Sequence, residues 1–226
     1  MNVAKIKNWL LKNKRINCFV SGIFRLVFCN HHRIRGKGNC VFYENTYTKR
    51  CRVQIVGSNN RVIFKGTNYL EDCRFTISGN NNTIVIDDKV CAYHAGLHIE
   101  DNGGTIQVGF MTLLAGKIEI ASTEGTAIRI GRNCLFSSNI DIRSGDSHSI
   151  FDESGNRINK AQDICVGDHV WIGHGAMLLK GTQVPDGCVV GAGAVLTKVY
   201  KKENSVIVGI PAKIVKENIC WEHERK

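Results

Sequence analysis

VGDHVWIGHGAMLLKGTQVPDGCVVGAGAVLTKV, residues 166–199, carries the architecture of this chain. Within it an aliphatic residue returns every six positions, at Val166, Ile172, Leu178, Val184, Val190 and Leu196, and Gly167, Gly173 and Gly191 directly follow three of them. The same phase runs back to Ile130, Phe136 and Ile142. A period of six is neither the 3.6 of a helix nor the 2 of a strand. One inward aliphatic per side makes a three-sided coil of about 18 residues.

Upstream the unit lengthens. GSNNRVIF (57–64), GNNNTIVI (79–86), DNGGTIQV (101–108) and STEGTAIRI (122–130) share one template, in which Val62, Ile84, Ile106 and Ile128 stand 22 residues apart. Cys40 lies one interval further back, and Val53, Phe75 and Leu97, like Cys51 and Cys73, keep the interval in the preceding strand. These units read as the same coil with about four extra residues bulging at one corner. Asparagine and glycine suit such corners because both tolerate a left-handed backbone.

The whole chain has 226 residues, 43% of them hydrophobic, with 23 glycines and two prolines. It is long enough for a core that needs neither disulfides nor metal, and it matches neither a disordered tail nor a collagen rod. Net charge is +10, but residues 1–37 hold nine Lys or Arg and no acid, leaving 21 basic against 20 acidic residues from position 38 onward. The body is therefore balanced, and nucleic acid is not an expected partner. The basic start followed by Ile16 to Phe28 reads as two short helices: Val3, Ile6 and Leu10 on one, Ile16, Phe19, Val20, Ile23 and Val27 on the other. Arg25 interrupts the apolar run, so export is not expected. The segment is a cap on the body, a peripheral membrane contact or a contact with an acidic polymer such as a polysaccharide. Ten cysteines stand singly, with no CxxC pair, and read as reduced, buried and structural.

Between Ile142 and Val166 the hexads stop, and RSGDSHSIFDESGNRINKAQDIC projects a polar excursion with His148 near its start. Rigid coils commonly place reacting side chains on such loops. The runs GDSHSIFDESGNRIN, VGDHVWIGHGAMLLKGTQVPDGCVVGAGAVLTKV and VGIPAKIV resemble the hexapeptide-repeat acyltransferases. They are most similar to the branch of maltose and galactoside acetyltransferases and related polysaccharide O-acetyltransferases, over about residues 139–217.

That resemblance implies an all-β, left-handed parallel β-helix of roughly eight coils over 38–215. Its catalytic loop would lie at about 143–163, with short helices in the basic segment 1–37 and a helical tail at 216–226. It implies acetyl-CoA as donor, no metal requirement, and a homotrimer with sites at subunit interfaces. His148 would be the general base, since imidazole exchanges a proton near neutral pH, and backbone N–H groups in the groove would hold the developing oxyanion. Trp171, in VWIG, would shape the pocket from a neighbouring subunit. Asn139, Ser144 and Asp146 would contact the acceptor. His174, Ala192, Thr197 and Lys198 would match pantetheine and adenine-side positions, with Lys213 and Lys216 near the phosphates.

Two other readings stand beside this one. His169 and His174 have the spacing of two zinc ligands, with His94 and His98 as outlying histidines, which would suit a carbonic-anhydrase-like enzyme on the same fold. A repeat scaffold without catalysis is the other. The expected function is O-acetylation of a sugar hydroxyl in a capsular or other surface polysaccharide. N-acetylation of an amino-sugar nucleotide is the alternative, and the expected location is the cytoplasm, up to the inner membrane surface.

Overall fold

The computed structural model describes residues 13–224. Helix α1 (Lys14–Val27) leads into eight turns of short strands. The first turn is β1 (His31–Arg35), β2 (Cys40–Tyr43) and β3 (Tyr47–Lys49); the second is β4 (Arg52–Val56), β5 (Arg61–Phe64) and β6 (Tyr69–Glu71). Next come β7 (Arg74–Ser78), β8 (Thr83–Ile86) and β9 (Cys91–Tyr93), then β10 (Ala95–Glu100), β11 (Thr105–Val108) and β12 (Leu113–Leu114). The fifth turn is β13 (Ile118–Ser122), β14 (Ala127–Ile130) and β15 (Leu135–Phe136). The sixth is β16 (Ile140–Arg143), β17 (Ile164–Val166) and β18 (Trp171–Ile172). The chain finishes with β19 (Met177–Leu179), β20 (Gln183–Val184), β21 (Val189–Val190), β22 (Val195–Leu196), β23 (Val206–Gly209) and β24 (Ala212–Lys216).

Strands one turn apart stack into three sheets, headed by β1, β2 and β3, so the molecule is a three-sided parallel β-solenoid. At about 4.8 Å per turn, eight turns give a prism roughly 40 Å long. Each strand hydrogen-bonds to the turns above and below, which removes free edges everywhere except at the two ends.

The register follows the sequence periods. Val62, Ile84, Ile106 and Ile128 pair in one column of the second sheet, and Leu178–Leu196, Val166–Val184 and Ile172–Val190 pair at intervals of 18. All of these side chains are buried. The extra residues of the longer unit sit at the corner between sheets one and two, where Phe75 to Ile86 replaces the six-residue step from Leu178 to Val184. That corner is knitted by an asparagine ladder. Asn39 Oδ1 accepts from the Asn60 backbone N–H at 2.9 Å, Asn60 Oδ1 from that of Asn82 at 3.0 Å, and Asn82 Oδ1 from that of Gly104 at 2.7 Å. Gly57 of the same corner has φ +128° and lies where a Cβ would meet the Gly79 carbonyl oxygen at 1.9 Å, so only glycine fits.

Several expectations need correction. The solenoid begins at His31, inside the segment expected to be a helical arm, because β1 pairs with β4. Val41, not Cys40, continues the inward column, pairing with Val62 at an interval of 21. The cause is the corner 44–46, one residue shorter than its counterpart 65–68. The tail is not helical: β24 folds back antiparallel on β23 and closes the last edge of sheet three. Residues 217–224 then run irregularly along the body. Only Cys51, Cys73, Cys134 and Cys188 are buried, while Cys18, Cys29, Cys40, Cys165 and Cys220 are exposed; all ten are free thiols. Cys40 and Cys165 face outward because they alternate with inward aliphatics along their strands. The second expected helix is α1, and the first, with Val3, Ile6 and Leu10, lies outside the described residues.

Candidate active site

The sixth turn carries the excursion. Phe136 pairs with Ile172 across 36 residues, twice the regular interval, because residues 144–163 leave the prism at the corner between sheets one and two. Contacts to the turns above and below hold this loop. Asp146 forms an ion pair with Lys180 of the next turn, Arg157 pairs with Glu124 of the preceding corner, and Glu124 Oε2 accepts the Ala161 backbone N–H at 3.2 Å. Inside the loop, Ile150 and Ile158 form a small hairpin, with the Ile158 N–H donating to the Ile150 carbonyl at 2.9 Å. Asp152 closes its tip through the backbone N–H groups of Ser154 and Asn156, at 2.9 and 2.8 Å.

Asn159 is the hub. It is 6% exposed, and its Nδ2 donates to Asp146 Oδ2 at 2.8 Å and to the His148 carbonyl at 2.7 Å. Its Oδ1 accepts the Ile150 N–H at 2.7 Å. Both sides of His148 are thereby fixed in the backbone, while the His148 side chain is exposed and has no protein partner among the described residues. Hydrogen bonds from Lys180 and then from Asn159 hold the Asp146 carboxyl below its usual range. Arg157 and then the Ala161 N–H do the same for Glu124. The loop is thus pinned by two ionised carboxylates around a free imidazole.

The other expected site residues divide between the three corners. Thr197 and Lys198 lie on the His148 side, in the column of Lys180, both exposed, with the Lys198 ammonium 5.6 Å from the centre of the Tyr200 ring. His174 and Ala192 lie at the corner between sheets three and one, where His174 Nδ1 shares a 2.8 Å hydrogen bond with Ser138 Oγ. The β23–β24 hairpin places Lys213, paired with Val208, beside this corner, since Val208 packs under Gly191. Lys216 lies farther back on β24, opposite Val206, and both lysines are exposed. The corners holding Ala192 and Thr197 flank sheet one and are about 16 Å apart at 3.3 Å per residue.

Two acceptor assignments change. Ser144 is fully buried: its Oγ accepts from Thr126 Oγ1 at 2.6 Å and from the Thr123 N–H at 3.1 Å, so it stabilises the corner and does not face solvent. Asn139 is exposed at the far end of β16 from the loop, with φ +55°, in the corner column where Asp72 and His94 also turn left-handed. Asp146 alone of the three stays beside His148, already engaged by Lys180.

Trp171 is 40% exposed on sheet three near its corner with sheet two, a full side of the prism from the His148 loop. It meets Trp221 of the tail, ring centres 6.0 Å apart. Trp221 in turn stacks on His169 at 4.2 Å and donates through Nε1 to the His169 carbonyl at 2.9 Å. His169 receives Asn133 Nδ2 at its Nδ1 and donates from Nε2 to the Trp221 carbonyl. Zinc therefore does not fit the pair His169 and His174: they occupy different corners, and both nitrogens of His169 are engaged by the protein. His94 and His98 are directed instead to Asp72 and Glu119, and the described residues contain no cluster of three metal-capable side chains.

Sequence reasoning missed Asn159, Lys180, Glu124 and Arg157. The signal available was register: Lys180 is one 36-residue step beyond Ser144, and Glu124 lies just past Ser122, one 22-residue step before it.

Comparison with known proteins gives the same architecture a lineage. The model of bacterial transferase hexapeptide (six repeats) matches residues 166–198. The chain is 36% identical over 195 residues to the polysialic acid O-acetyltransferase of Neisseria meningitidis, covering 83% of this chain and 87% of that one. Among solved structures, polysialic acid O-acetyltransferase OatWY superposes with a TM-score of 0.82 at 32% identity, over 87% of this chain and 92% of that one. The polySia-specific acetyltransferase NeuO superposes with a TM-score of 0.81 at 28% identity, over 87% and 84%. With its hexad core and its anchored loop matched over most of its length by such relatives, this chain belongs to the hexapeptide-repeat acetyltransferases.

Proposed function

We propose that this enzyme transfers the acetyl group of acetyl-CoA to a hydroxyl of a sugar in an acidic surface polysaccharide, with polysialic-type polymers as the first candidates. The observation that carries the reading is the exposed imidazole of His148 on a loop that Asn159 ties to Asp146 before it and to the His148 carbonyl and Ile150 N–H after it. His148 accepts the proton of the acceptor hydroxyl as that oxygen attacks the thioester carbonyl. The C–S bond then breaks, and the imidazolium returns the proton to the CoA sulfur. Backbone N–H groups of the corner carry the oxyanion. The relatives' names favour oxygen over nitrogen as the acceptor atom.

Acetyl-CoA fits the C-terminal end of sheet one, where His174, Ala192 and Lys213 stand on one side and Thr197 and Lys198 on the other, with exposed cations for its phosphates. The site is completed by a second copy, and a homotrimer is the assembly that does so with closed symmetry. Two features support this. Trp171 lies a full side away from His148 in its own chain, and the loop hairpin leaves Ile150, Phe151 and Ile158 exposed. Dependence on acetyl-CoA and ten free thiols both support a cytoplasmic location.

Calorimetric titration with acetyl-CoA, run on the native chain and on His148→Ala, should show the same single site per chain. Transfer to a sialic acid polymer should fall by at least about 100-fold in the variant. Full transfer by His148→Ala overturns the mechanism, and absence of acetyl-CoA binding overturns the donor. Light scattering should return three chains per particle, and Trp171→Ala should lower transfer without changing that mass.

A further inference from the structure

Helix α1 packs the wrong way round for a helix that meets only water. Its inner side is mostly polar, with Phe24 meeting the Tyr47 ring there at 5.4 Å: Asn17 Nδ2 donates to Thr67 Oγ1 at 3.3 Å, Asn17 Oδ1 accepts the Tyr47 hydroxyl, and Arg25 Nη1 donates to the Thr46 carbonyl at 2.8 Å. Asn17 and Ser21 are buried. The opposite side carries Ile16, Phe19, Ile23, Leu26 and Val27, all exposed, Phe19 at 69% and Leu26 at 86%. With 3.6 residues per turn these five form one stripe about 100° wide. A soluble amphipathic helix turns such a stripe to the core, whereas this one anchors its polar side and presents the apolar one.

The same end of the solenoid is cationic. β1 is the edge strand of sheet one, and Arg33 and Arg35 are exposed on it, with Lys37 exposed at the next corner. Residues 1–37 contain nine Lys or Arg and no Asp or Glu.

We propose that this end of the solenoid docks on an anionic lipid surface, with α1 lying in the plane of the interface. An apolar stripe at the same end of the solenoid as exposed cations matches the acyl boundary and the headgroup charge of such a surface together. A second copy of the chain would match the stripe but not the charge. A two-fold contact between α1 faces brings two segments together that carry only positive charge, with no acid to compensate. Among the described residues no helix is long and apolar enough to cross a membrane, so the contact is peripheral. This attachment is independent of the catalytic reading.

The test is co-sedimentation of the full chain with phosphatidylcholine vesicles, with and without phosphatidylglycerol. Binding should require phosphatidylglycerol, weaken as salt is raised, and fall at least about tenfold in the double variant Phe19→Ser, Leu26→Ser. The variant Arg33→Ala, Arg35→Ala should lose binding to a smaller extent. Thermal unfolding of each variant shows whether the fold is kept; the single variant Leu26→Ser, at the most exposed of these side chains, replaces the double one if it is not. Absence of native binding to the anionic vesicles overturns the proposal, as does binding unchanged by the serine variants. A smaller particle mass in those variants without vesicles also overturns it, by assigning the stripe to a second copy.

Discussion

Replacing Asn159 by alanine should loosen the His148 loop without unfolding the protein. The side chain makes three short hydrogen bonds, to Asp146, to the His148 carbonyl and from the Ile150 N–H, and accepts a longer one from Arg157 Nε at 3.3 Å. One of the short bonds reaches a carboxylate. At about 1 kcal/mol net for each short bond, the loop loses about 3 kcal/mol of local stability, roughly a hundredfold in its opening equilibrium. The inward column of the solenoid is untouched, because Asn159 lies outside the hexads. Amide hydrogen exchange should therefore quicken about 100-fold within residues 146–158, with core amides unchanged. Transfer by the same variant should fall by about ten- to a hundredfold, because a mobile His148 spends most of its time away from the acceptor hydroxyl. Exchange within the loop that stays at the native rate would refute the structural reasoning. Faster exchange with undiminished transfer would refute the link from loop order to chemistry.

Asn82→Ala removes a fully buried rung of the corner ladder, whose side chain accepts the Gly104 N–H and donates to the Asp101 carbonyl, and should cost about 1–3 kcal/mol in denaturant unfolding. Leu178→Ala empties a fully buried hexad position between Ile142 and Leu196 and should cost about 2–5 kcal/mol by the same measurement. The loop anchors also set a pH limit. Asp146 and Glu124 are held below their usual values, by Lys180 and by Arg157 respectively. The stabilisation they give is complete above the unfolded carboxyl range of about 3.9–4.3 and is lost as pH falls through the lower folded values. Protease cutting of the loop should be flat from about pH 5 to 8 and rise only below about pH 4. A rise near neutrality would show that other groups hold it.

The turns of the solenoid were legible in the chain because the code is local and repeated. Each inward position must be aliphatic and each corner must tolerate a left-handed backbone, so Val166 to Leu196 and the Asn-Gly corners announce themselves by period alone. The loop that carries His148 was legible for the complementary reason, standing where that period stops. What period could not supply is the partner of a side chain, because partners are chosen across turns and depend on corner lengths. A single residue missing from corner 44–46 moves the inward column from Cys40 to Val41. The same stacking buries Ser144 and sets Lys180 beneath Asp146. The tail is a matter of context as well: KIVK becomes a strand because β23 offers an unpaired edge, and Trp221 finds its seat on His169, 52 residues away. Helix α1 gives the sharpest contrast. Its amphipathic pattern is plain in the sequence, but which side faces the protein was settled by Tyr47, Thr46 and Thr67, whose polar groups attract Asn17 and Arg25 and leave Phe19 and Leu26 facing outward.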